Sequence, residues 1–189
     1  MTLLTVKYAP QNSQQVIGQQ EAVAALKAFV QQYHRQKQKA ALLHGPIGTG
    51  KTSSVYAIAK ELDVDVFELN SSDVRNAEAL SSFLGAALGQ QSLFMRQKII
   101  LIDEVDAISG VQDRGCIPAL LKSMERSMFP VVLTANDLYN DKLKPLKKAC
   151  LAIEFPKLPY HALVQQLTQI AQQENLSYEE KALSALARQ

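Results

Sequence analysis

Residues 45–52 have the composition and spacing of a loop that binds the phosphates of a nucleotide. Their sequence, Gly-Pro-Ile-Gly-Thr-Gly-Lys-Thr, matches the pattern G-x-x-x-x-G-K-[ST] at every defined position. Glycines allow such a backbone to wrap a polyphosphate with its N–H groups pointing inward. We expect Lys51 to reach the β- and γ-phosphate oxygens and the Thr52 hydroxyl to ligate Mg²⁺. The expected phosphate-binding residues are Gly45, Pro46, Ile47, Gly48, Thr49, Gly50, Lys51 and Thr52.

Two carboxylates downstream of this loop narrow the range of reactions that the site could catalyse. Asp103 and Glu104 directly follow the apolar run 99–102, which reads as a buried strand. An acidic residue at the carboxyl end of such a strand is the expected Mg²⁺ ligand, acting together with Thr52. A second carboxylate beside it can accept a proton from an attacking water. Hydrolysis needs such a base and a small-molecule kinase does not, so Glu104 favours hydrolysis.

Asn136 follows the next apolar run, 131–134, and provides a polar amide at the same kind of position. It could hold the attacking water or the γ-phosphate from the side opposite the loop. Taken alone, Asn136 and Asp137 would be interpreted as a turn, which such residues favour. The order of phosphate loop, Asp-Glu strand and Asn strand is, however, the layout of the AAA+ ATPases, and Asn136 resembles their sensor-1 residue.

The elements that position these residues alternate between strands and helices. The predicted strands are 40–43, 64–69, 99–102, 131–134 and 151–155, and the predicted helices are 19–30, 52–62, 77–88, 117–124 and 161–173. Strands that are apolar throughout are typical of a parallel sheet covered on both faces. We therefore predict a three-layer α/β fold with a five-stranded parallel sheet, followed by the start of a small helical domain. The resemblance to AAA+ ATPases implies that these are a P-loop AAA+ module and part of its lid.

Three regions follow from the same pattern. Residues 1–18 show little periodicity and are predicted to form an N-terminal arm, and residues 19–155 hold the ATPase domain. Pro156 and Pro159 mark a change of composition, so residues 156–189 are predicted to form a partial helical lid. A capping box at 177–180 is expected to open its second helix.

The composition is that of an ordinary globular protein. Hydrophobic residues make up 47% of the 189 residues and charged residues 20%, and the formal net charge of +2 is compatible with nucleic-acid binding without arguing for it. Cys116 and Cys150 lack metal-site spacing and are expected to be small buried residues in a reducing compartment. Since we find neither a leader pattern nor an apolar run of membrane-spanning length, we expect a cytoplasmic protein that binds no membrane.

Six segments together resemble the large-subunit family of archaeal replication factor C, the sliding-clamp loader. They occur in order over nearly the whole chain and read KYAP, VIG, ELNSSDVR, LIDEVDAISGVQDRG, LTAND and LKPLKKACLAIEF. The resemblance implies ATP and Mg²⁺ as ligands and a hetero-oligomer with small clamp-loader subunits. It also implies a PCNA-type sliding clamp and primer–template DNA as partners, and thus a place at the nucleoid.

The resemblance also assigns roles to further residues. It implies an adenine pocket built partly by the arm, at Tyr8, Pro10, Val16 and Ile17. It implies that Arg75 reaches toward DNA phosphates. It places the helix at 117–124 on the clamp-facing side, so we expect at least one of its apolar residues to be exposed. Those residues are Ile117, Leu120, Leu121 and Met124.

Two departures from the family pattern matter for catalysis. Small subunits carry a Ser-Arg-Cys triplet whose arginine reaches the neighbour's ATP, whereas this chain has Lys148, Ala149 and Cys150. The chain is therefore expected to receive an arginine finger without donating one. The family's sensor-2 arginine lies in a Gly-Asp-Leu-Arg run that this sequence lacks, and Arg188 is not assigned that role.

Three alternatives stay open on the sequence. The nearest is another AAA+ ATPase of DNA transactions, such as a helicase loader or a branch-migration motor. A P-loop phosphotransferase is disfavoured by Glu104 and Asn136. A scaffold that binds ATP without hydrolysing it is disfavoured by the presence of every core residue of the site.

Overall fold

A five-stranded parallel sheet organises the part of the chain that a computed structural model describes, which is residues 3–70, 82, 84–85, 97–109, 115–138 and 141–188. The strands are β1 Ala40–His44, β2 Asp65–Asn70, β3 Lys98–Asp103, β4 Val131–Ala135 and β5 Leu151–Glu154. Their order across the sheet is β2-β3-β4-β1-β5, and every pairing is parallel. The five predicted strands are confirmed, each to within one residue at either end.

The parallel arrangement brings every strand's carboxyl end to one edge of the sheet. The phosphate loop follows β1, the carboxylate pair closes β3, and Asn136 follows β4, so all three lie at this edge. The pairing register supports this, because His44 lies opposite Ala135. Asn70 in turn lies opposite Asp103. Ligands of such sheets bind outside the carboxyl ends of the strands.

Seven α-helices have both of their ends within the described residues. They are α1 Leu4–Lys7, α2 Gln20–Gln31, α3 Lys51–Leu62, α4 Cys116–Glu125, α5 Lys144–Ala149, α6 Tyr160–Gln173 and α7 Glu180–Leu186. Short 3₁₀ helices are Ser13–Gln15, Tyr33–Arg35, Val105–Ser109 and Asp141–Leu143. Residues 82, 84 and 85 are helical, and the rest of the predicted helix 77–88 lies outside the described residues. Arg75 and residues 113–114 lie outside them as well.

Alternate residues of the strands point into two separate cores, which confirms the three-layer prediction. In β1, Leu42 packs on the side of α4, while Leu43 packs on the side of α2 and α3. Both side chains are fully buried. Burying a Leu or Ile side chain contributes ~1.5–3 kcal/mol, so the apolar strands that the sequence shows stabilise both cores together with the helices packed on them.

The apolar stripe of α4 faces the core, so the expectation of an exposed residue in it is wrong. Leu120 and Met124 are buried, and Ile117 and Leu121 are half-buried and pack against the same cluster. The physical reason is that α4 covers one face of the sheet, which uses the whole amphipathic stripe.

The arm connects the sheet domain to the lid through side-chain hydrogen bonds. Glu61 in α3 accepts hydrogen bonds from Lys27 Nζ (2.6 Å) and from the Ser13 backbone N–H (3.0 Å). Together they lower the pKa of Glu61 to about 2. At the other end of the arm, Glu174 accepts from Lys7 Nζ (2.5 Å) and from Tyr8 Oη (2.7 Å).

Three smaller expectations have clear outcomes. α7 begins at Glu180 with Glu179 as its N-cap and no side-chain capping bond, so the capping-box prediction is wrong. Both cysteines are buried thiols as predicted, and burial raises the pKa of Cys150 to about 12. Within the described residues, none of the helices has the length and apolar character needed to cross a membrane.

Candidate functional site

The phosphate loop leaves β1 and enters α3 through backbone conformations that require glycine. Gly45 has φ 145°, and a Cβ atom there would lie 2.0 Å from the Phe155 carbonyl oxygen. Gly50 has φ 91° and directly precedes α3. Both values lie in the region that side chains other than glycine rarely adopt. The loop can therefore pass close to Phe155, directly after β5, and lead into the amino end of α3, where anions are favoured.

Lys51 lies inside the concavity of the loop, with only 7% of its surface exposed. Its Nζ donates hydrogen bonds to the carbonyl oxygens of Gly45 (2.7 Å) and Pro46 (2.9 Å) and to Asn136 Oδ1 (3.0 Å). All three of these acceptors are neutral. A phosphate oxygen that replaced one of them would form a charge-assisted hydrogen bond, which is about twice as strong. The ammonium group is therefore placed for an anionic ligand.

Thr52 and Asp103 are in direct contact, as the sequence predicts for a pair that shares a metal ion. The Thr52 hydroxyl lies 3.0 and 3.2 Å from the two carboxylate oxygens of Asp103. No group of three or more His, Cys, Asp or Glu side chains suited to a metal ion occurs among the described residues. One carboxylate and one hydroxyl fit Mg²⁺, which is usually held by one or two carboxylates together with substrate phosphates.

Thr134 is a site residue that sequence reasoning missed. Its buried hydroxyl donates a hydrogen bond to Asp103 and accepts one from the Glu104 backbone N–H at 2.9 Å. Glu104 has φ 56°, a conformation uncommon for residues other than glycine and often found at functional sites. Thr134 therefore orients both acidic residues. A β-branched residue is ordinary in a strand, so the pattern contained no signal for this role.

Asp106 is the second missed residue. Its Oδ2 accepts a hydrogen bond from the Asn136 backbone N–H at 3.1 Å. Burial lowers the pKa of Lys51, and the negative charges of Asp106, Asp103 and Glu104 act against that shift. Asp106 Oδ1 is buried and has no hydrogen-bond partner among the described residues. The signal in the sequence was a third acid two positions after Glu104.

Both predicted metal-binding residues, Thr52 and Asp103, line one cavity of about 180 Å³. Of the eight expected phosphate-binding residues, five line it and Gly45, Pro46 and Thr49 do not. Its lining also includes Glu104, which follows β3, Thr134 at the end of β4, and Asn136. Because these residues come from the loop after β1, from the start of α3 and from the carboxyl ends of β3 and β4, only the parallel sheet brings them together.

Two larger cavities lie beside it. Tyr8, Pro10 and Ile17 line one of about 680 Å³ between the arm and α6. Val16 belongs instead to the core beneath the loop, where a Cβ on Gly50 would lie 3.8 Å from its Cγ1. The adenine role of these four residues stays a prediction.

The second larger cavity, of about 540 Å³, lies between the phosphate loop and the lid. Residues 47–49 line it on the loop side, and Tyr160 and Arg188 line it on the lid side. The Arg188 guanidinium lies 5.5 Å from the centroid of the Tyr160 ring. The fold thus brings Arg188, which the sequence left unassigned, into the neighbourhood of the loop.

Comparison with known proteins agrees with this geometry. Residues 41–155 match the family described as ATPase family associated with various cellular activities (AAA). Large subunits of replication factor C are similar over 97% of this chain: that of Nanoarchaeum equitans is 40% identical, and those of Thermofilum pendens and Staphylothermus marinus are each 42% identical. The chain spans 43%, 45% and 44% of the lengths of these three relatives.

Proposed function

Because the chain belongs to the AAA family of ATPases, we propose that it binds and hydrolyses ATP as the ATPase module of the large subunit of a sliding-clamp loader. The observation that supports this most directly is the convergence of Lys51, Asp103 and Glu104 on one small cavity. Lys51 binds phosphate oxygens of ATP. Glu104, whose side chain is exposed at this cavity, accepts the proton of the attacking water.

The remaining site residues would bind Mg²⁺ and contact the γ-phosphate or the attacking water. Thr52 and Asp103 would hold Mg²⁺, which neutralises charge on the phosphates. Asn136, fixed by Asp106 through its backbone, contacts Lys51 from the side opposite the loop and there meets the γ-phosphate or the attacking water. The described part of the chain therefore supplies a base, a metal site and one cation, which suits hydrolysis of a nucleoside triphosphate.

The more specific part of the proposal, clamp loading, is supported by the similarity to known proteins. Those with 40–42% identity are large subunits of replication factor C. We accordingly propose that this chain assembles with small clamp-loader subunits and loads a PCNA-type sliding clamp onto primer–template DNA in the cytoplasm, at the nucleoid. A neighbouring subunit supplies the arginine finger.

An assembly experiment tests the clamp-loader part. The protein is co-expressed with small clamp-loader subunits, and the purified complex is assayed for ATP hydrolysis with and without the clamp and primer–template DNA. We expect a stable complex whose turnover rises when both are added. Hydrolysis that no clamp stimulates, in a protein that does not co-purify, would instead favour another AAA ATPase of DNA transactions.

Removing the ammonium group of Lys51 should weaken ATP binding strongly. Hydrogen bonds to charged groups contribute about 1.5–3 kcal/mol, so Lys51→Met should lower the affinity for ATP by at least ~10-fold. Methionine retains most of the buried stem, which protects the packing. Isothermal titration with a non-hydrolysable ATP analogue measures the effect. The matched control is Lys60→Met in the same helix, where the lysine is exposed and donates a hydrogen bond to Gln11. Equal affinities in the two variants would contradict the site assignment.

Removing the Thr134 hydroxyl should slow turnover without weakening ATP binding. Thr134→Val keeps the shape but leaves the Glu104 N–H without its acceptor and Asp103 without one of its donors. Loss of a partner that orients a metal ligand typically costs ~10–100-fold in metal affinity or activity. We expect kcat to fall and the Mg²⁺ concentration for half-maximal rate to rise, with KM for ATP unchanged.

The serine variant separates this role from simple packing. Thr134→Ser retains the hydroxyl and loses a methyl group, so it should keep most of the turnover while losing some thermal stability. If Thr134→Val and Thr134→Ser lowered kcat equally, the hydroxyl would have no positioning role.

A further inference from the structure

Glu174 joins the lid helix α6 to the N-terminal arm. It is half-buried and directly follows α6 as its C-cap. Lys7 Nζ donates a hydrogen bond to its Oε1 at 2.5 Å, and Tyr8 Oη donates to the same oxygen at 2.7 Å. Within the described residues, every hydrogen bond from residues 3–18 to α6 or its C-cap ends on this carboxylate.

The stability of α6 itself does not explain a carboxylate at this position. The carboxyl end of a helix carries partial negative charge, so acidic side chains there are disfavoured. The hydrogen bonds from Lys7 and Tyr8 lower the pKa of Glu174, so the carboxylate stays ionised at neutral pH. Lys7 Nζ also lies 5.5 Å from the centroid of the Tyr8 ring. These three side chains therefore form one cluster, which we call the arm latch.

The middle of the arm is held by the helix that begins at the phosphate loop. The Ser13 backbone N–H donates a hydrogen bond to Glu61 at 3.0 Å, and Lys60 Nζ donates one to Gln11 Oε1 at 2.9 Å. Lys60 and Glu61 belong to the last turn of α3, whose first residue is Lys51. The arm therefore connects the phosphate-loop helix to the lid, and the arm latch is its attachment to the far end of α6.

The end of the arm packs against the linker that leads into the lid. Gln19 Nε2 donates a hydrogen bond to the Pro156 carbonyl oxygen at 2.7 Å, and a Cβ atom on Gly18 would lie 3.0 Å from Leu158 Cδ2. These contacts fix the place where the lid begins. A helix of 14 residues such as α6 is ~21 Å long, so a small rotation at its start moves its far end by several Å. The arm latch lies at that far end and opposes such a rotation.

The cavity of about 680 Å³ lies between the two parts that the arm latch joins. Tyr8 of the arm and Gln173 of α6 both line it, whereas Glu174 does not. Ile17 lines it as well, and the neighbouring Val16 belongs to the core beneath the phosphate loop. Glu174 therefore fixes the separation of the two walls without being part of the lining.

We propose that Glu174 is a positioning residue for nucleotide binding, which holds α6 against the arm and thereby slows release of the nucleotide. This inference rests on the proposed function in one respect, namely that a nucleotide held by the phosphate loop extends into the cavity between the arm and α6. The Lys7 and Glu174 side chains are 49% and 23% exposed. Ion pairs with this degree of exposure contribute little to the stability of the whole fold. The effect of the arm latch is therefore expected on opening of the lid and not on folding.

Release of a fluorescent ATP analogue tests the proposal. The wild type and Glu174→Ala are loaded with the analogue and mixed with excess ATP, and the dissociation rate is recorded by stopped flow. We expect Glu174→Ala to release the analogue ~3–10-fold faster, with nearly the same association rate and unfolding temperature. Hydrolysis of ATP that is already bound, measured in a single turnover, should stay close to the wild-type rate. The reason is that Glu174 does not line the cavity that Lys51, Asp103 and Glu104 share.

Three further variants separate the arm latch from a general loss of charge or packing. Glu180→Ala removes the same charge from an exposed position of the lid and should release the analogue like the wild type. Tyr8→Phe should accelerate release in the wild type and add nothing in Glu174→Ala, because the lost hydroxyl donates to this carboxylate. Lys7→Glu/Glu174→Lys exchanges the two charges. It should release the analogue more slowly than either single substitution, each of which places like charges in contact.

The outcomes distinguish the arm latch from the proposed function. If Glu174→Ala released the analogue at the wild-type rate while ATP hydrolysis was as proposed, only the arm latch would be wrong. Equal acceleration in Glu180→Ala would assign the effect to the charge of the lid and overturn the proposal. Failure of the wild type to bind the analogue would contradict the ATPase assignment. Hydrogen exchange of residues 7–17 without nucleotide would then still decide whether Glu174 holds the arm, because faster exchange is expected in Glu174→Ala and equal exchange would contradict the contact.

Discussion

Glu104→Gln is expected to lower ATP hydrolysis by ~10²–10⁴-fold, the range that a positioned general base contributes, while ATP affinity stays unchanged. The amide has the same shape as the carboxylate but accepts no proton from water. The backbone of Glu104 is held at both ends, by Thr134 and by the hydrogen bond from the Ala107 N–H to its own carbonyl (2.9 Å). The substitution therefore changes the chemistry of the side chain and little else.

The neighbouring carboxylates cannot replace this base. Asp103 accepts hydrogen bonds from Thr52 and Thr134, so its carboxylate oxygens already have partners. The unpartnered oxygen of Asp106 is buried and does not reach solvent. Glu104 is the exposed member of the three.

Single-turnover ATPase measurements, with ATP binding determined separately, test this result. Glu125→Gln, at an exposed position of α4, is the charge-matched control and should hydrolyse ATP like the wild type. Wild-type rates in Glu104→Gln would place the base elsewhere and contradict the proposed mechanism.

The protein alone is expected to hydrolyse ATP slowly, and small subunits that carry the Ser-Arg-Cys arginine should raise its rate by ~10³–10⁵-fold, the effect of a finger supplied in trans. Negative charge develops on the γ-phosphate oxygens in the transition state. Among the described residues, Lys51 is the cation that lines the 180 Å³ cavity, and no arginine lines it.

The measurement compares the rates of the protein alone, with wild-type small subunits, and with small subunits whose Ser-Arg-Cys arginine is replaced by alanine. The alanine form should abolish the gain and leave ATP binding by this chain intact. Ala149→Ser on this chain should leave every ATPase site of the assembly unaffected, because position 149 carries no finger.

Arg188 is an alternative source of the positive charge that stabilises the γ-phosphate, since it lines the adjacent cavity between the loop and the lid. Fast turnover by the protein alone, lost in Arg188→Ala and unchanged on adding partners, would show that the site is completed in cis. The proposed mechanism predicts that Arg188→Ala has a small effect compared with loss of the neighbour's arginine.

The sequence by itself determined those parts of the site that depend on local chemistry. The loop 45–52 needs glycines at defined spacing, because Gly45 approaches Phe155 and Gly50 turns into α3 with φ 91°. The strands could be predicted because residues buried on both faces of a sheet are apolar throughout. The acidic pair could be predicted because a polar residue directly after such a strand lies at the edge of the sheet.

Other contacts required the tertiary structure, since they join residues distant in the chain. Thr134 and Asp106 serve the site only because β3 and β4 are neighbours, about 30 positions apart in sequence. Thr134 does not differ in type from an ordinary strand threonine, and the only sequence signal for Asp106 was its place two positions after Glu104. The α4 stripe is different: its amphipathic pattern alone favoured packing against the core, and the expectation of an exposed residue came from the resemblance.

The order of the strands illustrates the same limit. β1 lies between β4 and β5 in the sheet, although it is the first of the five strands along the chain. Strand order in a parallel sheet is set by how crossover helices pack on both faces, a non-local property that no window of sequence contains. Residue types and spacing thus determined which chemistry the chain carries, and the packing of the helices against the sheet decided which of those residues meet.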